Sequence, residues 1–155
     1  MAARQTPATR LLQKAGLRFA LHDYVHDPEQ KSFGLEAATA LALDPGRVFK
    51  TLVVEVGDAF RVCMVPAIAT LDIAALGKHA ALAPVERAER ITGYVAGGIA
   101  PLGQRRKLPT LVDDSALGFD TVFVSAGRRG LELELSPLDL ITLTGAEVRK
   151  LRRDP

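Results

Sequence analysis

The sequence predicts a single mixed α/β domain in which helices pack around a mixed β-sheet. Three observations carry this. Two β-rich runs, "VFKTLVVEV" and "AFRVCMVPA", flank the pair Gly57-Asp58, the composition of a tight hairpin. Two segments open with a hydroxyl residue followed by proline, Thr6-Pro7 and Ser136-Pro137, as capped helices do. Strand-like and helix-like segments interleave without a regular βαβ rhythm, so the sheet should be mixed rather than wholly parallel.

Each element follows from local pattern. Thr6 caps a first helix whose apolar stripe is Leu11, Leu12 and Ala15, and Gly16 stops it. "RFALHDYV" alternates, with Phe19, Leu21 and Val25 on one face and His22 and Tyr24 on the other, which predicts a half-buried strand. From Ser32, "SFGLEAATALAL" reads as a helix ended by "DPG". The hairpin follows. "TLDIAALGKHA" and "PVERAERIT" read as short helices, "TLVDD" and "TVFVSA" as strands, and "GRRG" as the turn into the strand "LELEL". A last helix holds "LDLITL".

Composition sets limits on function. The chain has 155 residues, 48% of them hydrophobic, enough for one domain spanning residues 1–155 with a real core. Residues 146–155, with Arg149, Lys150, Arg152 and Arg153, read as a basic C-terminal tail. One cysteine, Cys63, excludes an internal disulfide and a thiolate cluster. No secretory segment opens the chain and no apolar run approaches the roughly 20 residues that span a bilayer, so a cytoplasmic protein with no membrane partner is expected. The formal net charge is only +2, but the basic residues cluster. Arg105, Arg106 and Lys107 form one group and Arg128 and Arg129 another, and such groups can bind phosphates without a large overall charge.

Candidate chemistry concentrates in a few places. Alternation puts Lys50 on one strand face with Leu52, Val54 and Val56, an unusual neighbourhood for an ammonium. Lys50 either snorkels to solvent from the strand end or stands at the lip of a pocket, set to meet an anion. The stretch "GYVAGGIAPLGQRRKLP", Gly93 to Pro109, has four glycines and two prolines, too many for a regular element, yet is too apolar for a solvated linker. Gly97 and Gly98 would let a ligand reach backbone N–H groups, or simply let two elements pack closely. Nothing else forms a familiar set. His22 and His26 lie four apart on a predicted strand without a third ligand, so no metal is expected. Cys63 reads as a buried structural thiol, and Ser115 and Ser125 have no evident histidine partner. The glycine spacing is not that of a dinucleotide site, and no cofactor is expected.

Several of these segments together carry a resemblance. "TPATRLLQKAGLRF", "HDYVHDP", "SFGLEAATAL", "VFKTLVV", "GYVAGGIAPLGQRRKLPTLVD" and "VFVSAGRRGLELELSPLDL" resemble, in order and spacing, the YbaK-type aminoacyl-tRNA deacylases, from about Thr6 to about Gly145. These belong to the superfamily of the prolyl-tRNA synthetase editing domain. The resemblance implies a partly barrel-like central sheet and the removal of a wrong amino acid, typically cysteine, from the tRNA for proline. The implied partners are that aminoacyl-tRNA and prolyl-tRNA synthetase.

It also implies a site. The family's essential lysine falls on Lys50 and the next threonine on Thr51; its pocket tyrosine falls on Tyr24, its phenylalanine before a glycine on Phe33, and the first glycine of its glycine pair on Gly97. Substrate-assisted cleavage is implied: the cysteine sulfur attacks its own ester carbonyl, giving a thiolactone and free tRNA, with backbone N–H groups at Gly97 and Gly98 holding the oxyanion. Arg105, Arg106, Lys107, Arg128 and Arg129 would then contact acceptor-stem phosphates. Two positions depart from the family pattern. Ala100 stands where many relatives have serine, which would take a hydroxyl from the pocket, and Glu132 stands where aspartate is common. Alternatives remain: a water-using deacylase of other small aminoacyl groups (alanyl, seryl, 2-aminobutyryl), or a non-catalytic module that binds tRNA or a synthetase.

Overall fold

The computed structural model describes residues 4–154. Helix α1, Pro7–Ala15, begins where expected: the Thr6 hydroxyl accepts from Thr9 N–H, and Thr9 Oγ1 accepts from Thr6 N–H. The same Thr6 hydroxyl donates to the carbonyl of Ala126, 2.5 Å away, tying the helix start to a distant strand.

The chain then forms β1 (Ala20–Asp23), α2 (Phe33–Ala40), β2 (Phe49–Val56), β3 (Ala59–Pro66), β4 (Ala81–Leu82), α3 (Val85–Thr92), β5 (Thr110–Asp113), β6 (Val122–Arg128), β7 (Leu131–Leu135), α4 (Pro137–Thr144) and β8 (Glu147–Arg149). They make a mixed α/β domain with two sheets, β1-β7-β6 and β4-β2-β3-β5-β8. The predicted hairpin is β2–β3, in register from Phe49 opposite Pro66 to Val56 opposite Ala59. Pairing is antiparallel in the small sheet and parallel where β3 meets β5 and β5 meets β8.

A parallel bridge between Val48 and Phe123 joins the two sheets. The sheet bends toward a barrel there without closing into one. β2 therefore leaves β6 after Val48 and gains β4 only at Val54. The Arg47 carbonyl accepts from Phe123 and the Val53 carbonyl from Ala83, while the Val48 carbonyl faces Ala67 across the hairpin. Because strand residues alternate sides, the backbone polar groups of Phe49 and Thr51 point into the gap between the two partners.

The main core lies between the small sheet and the flanking helices, where Leu131, Leu133 and Leu135 of β7 meet Leu12, Leu102 and Leu140. β7 alternates strictly. Its Glu132 and Glu134 therefore stand on the opposite face, which α2 covers through Ala38 packed with Phe123 and Val48.

Four sequence expectations need correction. The strand around "RFALHDYV" stops at Asp23; Tyr24 N–H still donates to the Gly130 carbonyl in the turn before β7, and Val25 beyond it is 94% exposed. The helix from Phe33 ends at Ala40, where Ala42 turns to a positive φ of 55°. Ile73–Leu76 is a single tight 3-10 turn. The last residues are not a free basic tail: β8 pairs with β5, Leu151 is buried, and Arg152 reaches Asp113 and Asp114, each at 2.6 Å.

Candidate active site

The gap beside β2 opens as a cavity of about 450 Å³. Its walls are the edge of β2 from Val48 to Val53, the first turn of α2, the β4–α3 corner, the segment around Gly97, and Ser125 and Glu132 of the small sheet. It is thus built at the seam between the sheets, from stretches far apart in the sequence.

Lys50 lines this cavity, opposite Val65 across the hairpin and on the same face as Leu52 and Val54. Burial pushes its ammonium below the usual lysine range, and no ion pair holds it among the described residues. The close approach of α2 explains its setting. Gly34 sits over Lys50 and Ala67, and a β-carbon there would come within 2.9 Å of the Ala67 Cβ.

Phe33, next to Gly34, forms the adjoining wall. Its ring lies between His26, with ring centroids 5.8 Å apart, and the Arg129 guanidinium, 5.4 Å from the ring centroid. Glu36 holds His26 through Nδ1 at 2.7 Å and accepts from Asp27 N–H, which fixes the loop before α2. Arg129 is fixed in turn by donating from Nε to the Ala96 carbonyl at 2.6 Å.

The glycine pair divides into two roles. Gly97 lines the cavity with φ of 84°, and a β-carbon on it would meet the Phe33 ring at 2.8 Å. Gly98 does not line it. Its N–H donates to the Val95 carbonyl at 2.8 Å, and its α-carbon abuts the Arg128 backbone, so Gly98 is a packing glycine and not an oxyanion donor. Among the described residues Gly97 N–H has no such acceptor.

Thr51 and Glu132 both line the cavity, and each has a buried oxygen with no hydrogen-bond partner: Thr51 Oγ1 and Glu132 Oε2. Burial pushes the Glu132 carboxyl up to about 8. Tyr24 is not a wall of the cavity; its phenol is pushed up to about 12 by burial and by the neighbouring Glu132 carboxyl. Ala100 is fully buried in the main core, so a serine there would not offer its hydroxyl to the cavity.

The basic groups lie outside. Arg105, Arg106 and Lys107 are exposed beside the end of α3, where Arg105 N–H donates to Thr92 and Arg106 N–H to Ile91. Arg128 pairs with Asp23 at 3.5 Å. His22 and His26 are engaged by different carboxylates, Glu134 and Glu36, and no cluster of three or more metal-ligating side chains occurs among the described residues. No described helix is long and apolar enough to cross a membrane. Cys63 is buried, its thiol pushed up to about 11 chiefly by desolvation.

Sequence reasoning considered Ser125 only as a nucleophile without a partner and did not place it on the cavity wall, and it missed the apolar corner of Leu82, Ala83 and Val85 and the His26–Glu36 pair. Only the last had a signal, since "HDP" and Glu36 flank Phe33 closely; the others depend on which strands become neighbours.

Residues 27–143 match the family model for the aminoacyl-tRNA editing domain. Over 154 residues the chain is 29% identical to a candidate Cys-tRNA(Pro)/Cys-tRNA(Cys) deacylase, EbsC, of Enterococcus faecalis, covering 95% of this chain and 93% of that one. The crystal structure of a candidate trans-editing enzyme for prolyl tRNA synthetase is similar with a TM-score of 0.78 at 25% identity, over 97% of this chain and 99% of that one. That of the hypothetical protein APE2540 is similar with a TM-score of 0.83 at 25% identity, over 96% and 100% of the two chains.

Proposed function

The chain belongs to the aminoacyl-tRNA editing domain family, and from that premise we propose that it is a trans-editing deacylase that frees the tRNA for proline from mischarged cysteine. The observation that carries the reading is Lys50: a half-buried ammonium without a counter-ion among the described residues, on the wall of a cavity several times larger than a cysteinyl group needs. A cavity of this size takes the terminal nucleoside along with the amino acid. The relative EbsC, named for the same activity, supports the assignment.

In this reading Lys50 meets the negative charge of the tRNA terminus or of the developing oxyanion, and Gly97 N–H adds a backbone donor. One such donor is typically worth about 3 kcal/mol in the transition state. The cysteine sulfur attacks its own carbonyl carbon as its proton leaves, the ester C–O bond breaks, and the terminal ribose oxygen takes a proton. The product is a thiolactone that water then opens. Phe33 and Ile99 keep the site apolar. Arg105, Arg106, Lys107, Arg128 and Arg129 bind acceptor-stem phosphates, and prolyl-tRNA synthetase is the natural source of the substrate.

The mechanism is tested by the attacking atom. Proline tRNA charged with cysteine should be cleaved much faster than the same tRNA charged with 2-aminobutyrate, whose methyl fills the same space without a nucleophile. Equal rates would overturn substrate assistance and favour attack by water.

A further inference from the structure

The backbone donor at Gly97 depends on which way one peptide faces. Residues 95–98 make a tight turn: the Gly98 N–H donates to the Val95 carbonyl at 2.8 Å, and Gly97 has φ of 84°. Ala42 is the only non-glycine with positive φ among the described residues, so Ala96 is at negative φ and the turn is type II. Types I and II share their outer hydrogen bond and differ by a flip of the central peptide, here the one joining Ala96 to Gly97. Glycine accepts either form, so the turn alone does not fix where the Gly97 N–H points.

Two side chains decide it. Glu89, on α3, accepts from the Ala96 N–H at 2.8 Å, so the peptide joining Val95 to Ala96 is held at both its polar ends. Arg129, in the turn between β6 and β7, donates from Nε to the Ala96 carbonyl at 2.6 Å and lies over the Phe33 ring, 5.4 Å from its centroid. Ala96 and Gly97 are walls of the cavity, and Arg129 is not. The Ala96 carbonyl is therefore turned toward a group outside the cavity, and the N–H on the opposite edge of the same planar peptide is turned away from that group. A cation on the carbonyl oxygen also polarises the peptide and strengthens its N–H as a donor.

We propose that Arg129 and Glu89 are positioning residues of the reaction: they lock the type II turn so that the Gly97 N–H, and not the Ala96 carbonyl, meets the ester oxygen as charge develops on it. This rests on the deacylase reading. It gives Arg129 a task apart from phosphate contact, and it gives a role to Glu89, whose charge no phosphate would select. With the peptide flipped, a carbonyl oxygen would face the developing negative charge and oppose it.

The test separates rate from binding. Single-turnover release of cysteine from Cys-tRNA(Pro) is followed over a range of protein concentrations for the wild-type chain, Arg129→Met, Glu89→Ala and Glu89→Gln, with melting curves of each. Arg129→Met and Glu89→Ala should each lose at least about tenfold in the rate at saturating protein, and in Glu89→Ala the half-saturating concentration should stay within about twofold of wild type. Glu89→Gln keeps an oxygen that can accept from the Ala96 N–H and should recover most of the rate, which separates the hydrogen bond from the charge. If Arg129→Met does not fold, the two Glu89 variants carry the comparison. Full rate at saturation in folded Arg129→Met or Glu89→Ala, or equal losses in Glu89→Ala and Glu89→Gln, would overturn the lock while wild-type turnover left the deacylase reading standing. A wild-type chain without turnover would end that reading, and the donor role with it.

Discussion

At the scale of single residues, the position that departs most visibly from the family pattern, Ala100, belongs to the main core and does not line the cavity. Ala100 is fully buried among core side chains. Ala100→Ser should therefore cost about 1–3 kcal/mol of stability through a buried, poorly satisfied hydroxyl. The ratio of cysteinyl to 2-aminobutyryl turnover should stay the same, and a changed ratio in a folded variant would return Ala100 to the site. Glu132 makes a second prediction. Its carboxyl is raised toward about 8 in the folded chain, so folding favours the neutral acid. Stability is then highest at or below the ordinary carboxyl range and falls as pH rises toward the folded value, because the unfolded chain ionises first. Melting from pH 5 to 9 should show this decline in the wild-type chain and a flatter profile in Glu132→Gln; parallel profiles would mean that the carboxyl is solvated.

At the scale of elements, the glycine-rich stretch works through what it packs against. Gly97 touches the Phe33 ring and Gly98 the turn between β6 and β7, so one segment registers α2 against the small sheet. A valine at Gly97 would strain a positive φ, at a cost of order 1–3 kcal/mol, and would push the ring out of the wall. Gly97→Val should lose turnover by more than its melting shift explains, and combining Gly97→Ala with Phe33→Leu should recover part of what Gly97→Ala loses. Full activity in Gly97→Val would contradict this. The C-terminal strand is held similarly. Asp113 is fully buried; burial opposes its ionisation, but hydrogen bonds from Ser115, from the N–H groups of Leu151 and Arg152 and from the Arg152 guanidinium outweigh that and hold the carboxyl below its ordinary value. Its stabilisation is present above the ordinary carboxyl range and is lost as pH falls through the folded value. Asp113→Ala should destabilise the chain by on the order of 3 kcal/mol near pH 7, with a smaller penalty in acid. Calorimetry at the two pH values checks both parts.

At the scale of the whole molecule, legibility in the sequence follows from how local each signal is. Capped helices and the β2–β3 hairpin were readable because Thr6-Pro7, Ser136-Pro137 and Gly57-Asp58 act on their immediate neighbours. β8 was not, because its pairing with β5 joins residues far apart in the chain, and a run rich in arginine looks like a solvated end. The site divides in the same way. Alternation placed Lys50 on its face, and the resemblance put Phe33, Thr51, Gly97 and Glu132 on what became cavity walls. It also pointed to Gly98 and Ala100, which the tertiary packing assigns to a turn and to the core. The seam between the sheets is what gathers the walls, and it exists only because β2 changes partner between Val48 and Val54. The central claim is that this seam is a deacylase site organised around Lys50. The most direct measurement is single-turnover release of cysteine from Cys-tRNA(Pro) by the wild-type chain and by Lys50→Ala, with melting curves of both. Rapid release by the wild-type chain, and loss of at least about a hundredfold in a variant that melts normally, is the predicted result. No release by the folded wild-type chain, or full release by Lys50→Ala, would contradict it.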